Sequence, residues 1–153
     1  MITAGWILLQ SILGSVGFYQ NPTENPVAFA LLIPPTLILI VTLFLTEKGK
    51  NFIQNLDLES LTLLHTVRIP VEIGLLWLFT AGLIPELMTF EGRNFDIIAG
   101  LTAPIVYFLY FKKALISKKV LLLWNIVMLG FLLNIVVNAL LSAPLPFQQF
   151  AFD

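Results

Sequence analysis

From Val120 to Leu141 the chain runs without a single charged side chain, and that run constrains every other element. A helix needs about 20 mostly apolar residues to cross the roughly 30 Å hydrocarbon core of a bilayer. Four further runs are mostly apolar: Ile2 to Tyr19, Val27 to Thr46, Leu61 (or Ile69) to Leu83 and Asn94 to Phe111. The turn-rich QNPTENP closes the first, EKGK closes the second, and Pro144 and Pro146 stop the last. The 153 residues are 58% hydrophobic and only 11% charged, with a mean hydropathy of +0.94. Soluble domains are about one quarter charged, because polar surface must face water. This composition cannot cover a soluble globule of that size. The expected architecture is therefore all-α: a polytopic membrane bundle of about five transmembrane helices forming one domain over residues 1–153.

The lysines orient it. Lys48 and Lys50 follow the second run, and Lys112, Lys113, Lys118 and Lys119 lie between the fourth and fifth, whereas the opposite loops hold only Arg93. Positive charge favours the cytoplasmic side, so the N-terminus is expected inside and the C-terminus outside, in a cell membrane of the bacterial inner-membrane kind. Tyr107, Tyr110 and Trp124 flank the lysine-rich loop as an interfacial aromatic belt. The first run has neither a basic leader nor a small-residue cleavage site and reads as a retained helix. The tail PLPFQQFAFD would lie on the outer face, in headgroups, against another subunit or leading to a further helix. An inverted repeat of the transporter type is not apparent.

Polar groups inside apolar runs carry the functional information. His65, Arg68 and Glu72 fall within an arc of roughly 60° on a helix, and the i, i+4 spacing of Arg68 and Glu72 allows an ion pair. With a helix start near Leu61, Glu72 would lie roughly 16 Å deep, close to the midplane. One reading is a buried Arg–Glu pair with a titratable histidine one turn away, lining a polar pocket or a proton path. The other rests on Pro70, which lacks an N–H and suits a first helical turn. The span would then begin at Ile69, after an interfacial amphipathic helix over residues 51–63 or as far as Thr66. Arg68 would become a positive-inside anchor. Glu72 stays inside the hydrocarbon boundary in both.

Other polar residues suggest helix contacts. Gln10, Gly14 and Gly17 share one face of the first run, suited to close packing. Asn134 and Asn138 share a face of the fifth run while Asn125 points away; they are ligand candidates, with interhelical hydrogen bonding as the default reading. Pro34 and Pro35 would free the carbonyls of Ala30 and Leu31, and Pro104 that of Gly100, shaping the bundle, supplying carbonyls to a cavity or acting as a hinge. The outer loop PELMTFEGRNFD gathers Glu86, Glu91, Arg93 and Asp96. Its spacing fits no metal loop, so an Arg93 salt bridge ordering the loop is expected, with Gly92 turning the chain and Asn94 capping the fourth helix.

Much chemistry is excluded. The chain has no cysteine, so it has no disulfide, thiolate or Cys-ligated metal. One histidine cannot supply a bis-histidine haem, and no zinc-protease, phosphate-loop or nucleophile-elbow motif occurs. No cofactor or metal is expected. A net charge of −1 without a basic tract argues against nucleic acid. The segments VRIPVEIGLLWLF and PELMTFEGRNFDIIAGLTAPI resemble those of uncharacterised small multi-pass bacterial membrane proteins. The resemblance, over roughly Thr66 to Pro104, implies an integral membrane protein and carries no activity, substrate or catalytic residue. Three functions stay open: binding or translocation of a small solute, lipid-like molecule or proton at the Arg68–Glu72–His65 face; a structural or accessory subunit, homo-oligomeric or with a membrane partner; and a membrane-embedded enzyme using His65 and Glu72.

Overall fold

The computed structural model describes residues 2–19, 34–142 and Gln149, and every regular element among them is helical. Contacts divide the chain into two compact units, whose main bodies are Met1–Leu56 and Asp57–Ala143.

The first unit contains α1 (Ile2–Ser15), α2 (Pro34–Leu45) and α3 (Glu47–Gln54). Gly17 ends α1 with a positive φ of 75°, Phe18 N–H bonding to the Leu13 carbonyl and Gly17 N–H to that of Gly14. This is a Schellman stop, so Gly17 terminates the helix instead of extending a packing strip with Gln10 and Gly14. Gln10 accepts a hydrogen bond from Tyr19 across the turn. Pro34 and Pro35 are the first described residues of α2. The expected residues Val27 to Ile33, with the carbonyls of Ala30 and Leu31, lie outside the described residues, as does the tail apart from Gln149. Thr46 caps α3 by accepting from Gly49 N–H at 3.1 Å.

The second unit begins at Asp57, whose carboxylate accepts from the Ser60 N–H at 2.8 Å and caps α4 (Leu58–Leu64). A single 3-10 turn, His65–Val67, leads straight into α5 (Arg68–Thr80). The helical stretch is thus continuous from Leu58 to Thr80 through Pro70. A helix could not keep its usual bond from residue 70 to the Thr66 carbonyl, and the tightened turn absorbs that loss. In place of the helix expected over residues 51–63, the chain forms a short helix at Glu47–Gln54, and the helical path breaks at residues 55–57 instead of at Pro70. Gly82, at φ 72°, closes α5 with a second Schellman stop. After a 3-10 turn at Glu86–Met88, α6 (Ile97–Tyr107) continues into a π-helical turn, Phe108–Lys112. The last helix, α7 (Lys118–Ser142), closely matches the expected fifth run.

Among the described residues, two stretches, Leu58–Thr80 and Lys118–Ser142, are long and apolar enough to cross a membrane. Thr62, Glu72, Thr89, Asn94, Asp96 and Asn138 are buried, while Leu64, Trp77, Leu122, Leu123 and Leu133 are exposed. The fully buried side chains of largest volume are polar, led by Glu72 and Asn94.

Candidate functional site

Helix α6 lies antiparallel against the Leu58–Thr80 stretch, and one glycine sets their distance. A Cβ at Gly100 would come within 2.7 Å of Ile69 Cγ1 and 3.4 Å of the His65 carbonyl, so only glycine lets the backbones approach this closely. With Gly100 level with Ile69, Asp96 comes level with the turn holding Glu72. The start of α6 therefore falls roughly 10 Å short of Thr80 at 1.5 Å per residue. The connecting segment, residues 81–95, folds back down this gap, and its 3-10 turn packs on both α5 and α7.

A polar network fills the gap. Asn94 is 0% exposed and Glu72 2%; the Asn94 amide donates to both carboxyl oxygens of Glu72, at 2.7 and 2.8 Å. The same Nδ2 donates to the Met88 carbonyl at 3.1 Å, so three acceptors share two hydrogens. Asn94 Oδ1 in turn accepts from Asp96 N–H at 3.0 Å. Arg68 Nη1 pairs with the Asp96 carboxylate and also donates to the Met128 carbonyl of α7 at 3.3 Å. Three segments are thereby tied together at one level.

The expected Arg68–Glu72 ion pair is replaced by these two longer-range pairs. Arg68 finds Asp96, a carboxylate held at the head of α6, and Glu72 finds a neutral amide. Asn94 does not cap α6: Asp96 takes the N-cap position without a side-chain cap, and Asn94 turns inward. The cluster of Glu86, Glu91, Arg93 and Asp96 also separates. Asp96 is buried and paired with the part-buried Arg68, while Glu86, Glu91 and Arg93 are exposed, and no group of three metal-binding side chains forms among the described residues. Arg93 presents its carbonyl to Asn134 Nδ2 at 2.6 Å, so Asn134 anchors the loop to α7. Asn138 is buried with Nδ2 unpartnered.

His65 lies outside this network. Its ring stands 4.9 Å from that of Trp124, and Trp124 Nε1 donates to Thr102 Oγ1 at 3.0 Å. Beside it is an open groove of about 330 Å³, walled by Leu58, Leu61, Thr62, Leu64, His65, Arg68 and Asn125. The Nδ1 of His65 is buried without a hydrogen-bond partner. Glu72 is not among the groove walls. The arrangement that would make His65 and Glu72 a joint acid–base pair is therefore not formed.

On the same helix as Leu58 and Leu61, Glu59 accepts from Lys112 Nζ at 2.6 Å and from the Tyr107 hydroxyl at 2.7 Å. Lys112 lies over the Tyr107 ring at 5.1 Å. Sequence reasoning did not single out Asn94, Asn125 or Glu59 as site residues. The presence of Glu59 opposite a lysine-rich loop was the one available signal, since an isolated acid there invites a cation.

No known protein family, no curated protein and no solved structure matches this chain.

Proposed function

We propose that this chain is an integral membrane protein of about five crossings whose second unit binds a small amphiphilic molecule in the groove beside His65. The observation that carries the reading is the groove itself. It combines leucine walls with Arg68, His65 and Asn125, and His65 carries a buried Nδ1 that has no partner. Mostly apolar lining with a few convergent polar groups is the usual make-up of a ligand site. Buried polar residues beneath an apolar surface support lipid as the surrounding solvent. The helical stretch Ile97–Lys112 is short for a full crossing, and the fold-back of residues 81–95 completes its passage. Irregular backbone is tolerated at membrane depth only where protein buries it. The buried Thr89, Asn94 and Asp96 supply that burial and its hydrogen bonds. The groove occupies the half of the Leu58–Thr80 helix that lies beside Lys112, and the positive-inside rule favours the cytoplasmic leaflet for that half.

Trp124 provides the test. In a Trp6→Phe/Trp77→Phe background it is the single indole of the chain. In nanodiscs, brominated single-chain amphiphiles added at rising concentration should quench it saturably, and Leu61→Phe, which narrows the groove, should abolish the saturable part. Quenching that only rises linearly with probe, as for a ring in plain contact with lipid, would refute the groove as a site.

A second reading, an accessory subunit held together by buried polar pairs, draws on the sealing of Glu72 and on the unpartnered Asn138 amide near the end of α7. It predicts a co-purifying membrane partner that is lost on Asn138→Leu.

A further inference from the structure

Resting on that reading of the groove, we propose that its ligand is a neutral, single-chain amphiphile whose hydroxyl or carbonyl head completes the hydrogen bonding of His65. Charge excludes the other head groups first. The guanidinium of Arg68 is already matched by the Asp96 carboxylate, and their side chains are 18% and 7% exposed. The site is therefore close to neutral. An anionic or cationic head would enter it with no counter-charge left to offset its lost hydration, which is costly in a low-dielectric setting.

Hydrogen-bonding capacity then selects a polar but uncharged head. An imidazole nitrogen accepts from a hydroxyl or donates to a carbonyl according to its tautomer. His65 Nδ1 is buried and has no partner; a turn about χ2, a broad torsion in imidazoles, would bring it to the groove and a ligand's head. Asn125 Nδ2 is held by the Leu121 carbonyl at 2.9 Å, which fixes a polar corner at one level of the groove. Leu58, Leu61 and Leu64 continue from that corner as an apolar track. A volume of about 330 Å³ lies at the small end of ligand pockets. It holds a head group and the start of one chain, not the paired chains of a bilayer phospholipid.

The experiment compares three probes of equal chain length on the full-length chain with Trp124 as the only indole: an ω-bromo alcohol, the matching carboxylate and the matching quaternary ammonium. The alcohol should bind at least about tenfold more tightly than either charged probe. His65→Phe keeps a ring against Trp124 and removes the nitrogens, and should weaken the alcohol by about three- to tenfold, the worth of one hydrogen bond, while leaving the charged probes unchanged. Should His65→Phe fail to fold, the wild-type ranking of the three probes decides alone. A carboxylate or ammonium binding as tightly as the alcohol would overturn the proposal, as would a folded His65→Phe protein with unaltered alcohol affinity. In both cases saturable quenching would persist and the groove would stand as a site. Loss of all saturable quenching would instead remove the groove reading itself.

Discussion

Asn94→Leu is the perturbation that bears hardest on the polar network. The leucine roughly conserves volume but removes an amide that meets Glu72 through both carboxyl oxygens, the Met88 carbonyl and the Asp96 N–H. Three buried groups lose their partner. On soluble-protein values, each neutral group left unsatisfied costs about 1–3 kcal/mol and a charged one more, which would give a loss above about 3 kcal/mol. Hydrogen bonds measured between membrane helices average only about 0.6 kcal/mol, which over four bonds gives about 2 kcal/mol. The expected loss is therefore about 2–4 kcal/mol, with the low end set by partners found in the unfolded membrane-bound state. Reversible unfolding in mixed micelles, followed by tryptophan fluorescence, measures it. The companion variant Glu72→Leu should also destabilise. The double variant should be no less stable than Asn94→Leu alone, because removing both partners leaves no orphaned carboxyl group. An Asn94→Leu protein within about 0.5 kcal/mol of wild type, or strictly additive costs in the double variant, would refute the network.

Arg68→Leu should cost about 3–5 kcal/mol by isolating the buried Asp96, and Arg68→Leu/Asp96→Leu should recover much of that loss in the same unfolding assay. Gly100→Ala should cost about 1–3 kcal/mol, because its Cβ would collide with Ile69, and Ile69→Ala should relieve part of it. The Asp57 carboxyl is held below the usual carboxylate range, chiefly by the Ser60 hydroxyl and also by the Ser60 N–H. A depressed folded pKa contributes stability above the unfolded value and loses it as pH falls through the folded one. Below about pH 4, wild type should lose stability relative to Asp57→Asn, a cap that does not titrate, and a difference independent of pH would count against the cap.

The apolar runs made the helices legible because a membrane-length apolar stretch has few other folds open to it. Lys118–Ser142 is the clearest instance, and the burial of Glu72 follows from the same reasoning. Partners were not legible where they lie far apart in sequence. Arg68 and Glu72 are ideally spaced on one helix, yet Asp96 and Asn94 take them from 28 and 22 positions away. Local spacing could not reveal that residues 81–95 fold back to bring these two side chains to the level of Glu72. Pro70 misled in a different way: a helix breaker in isolation, it is accommodated here by one 3-10 turn. The break falls at Asp57 because the carboxylate cap stabilises a new start there. The groove was half visible, through His65 and Arg68, but its leucine walls resembled ordinary lipid-facing residues.

Sidedness of the two loops that flank these helices tests the membrane reading most directly. The chain has no native cysteine, so Glu91→Cys and Lys113→Cys each introduce a single thiol at an exposed position. In intact cells a membrane-impermeant maleimide should label Glu91→Cys at once and leave Lys113→Cys untouched until the membrane is opened. Labelling of both thiols from the same side would contradict the account.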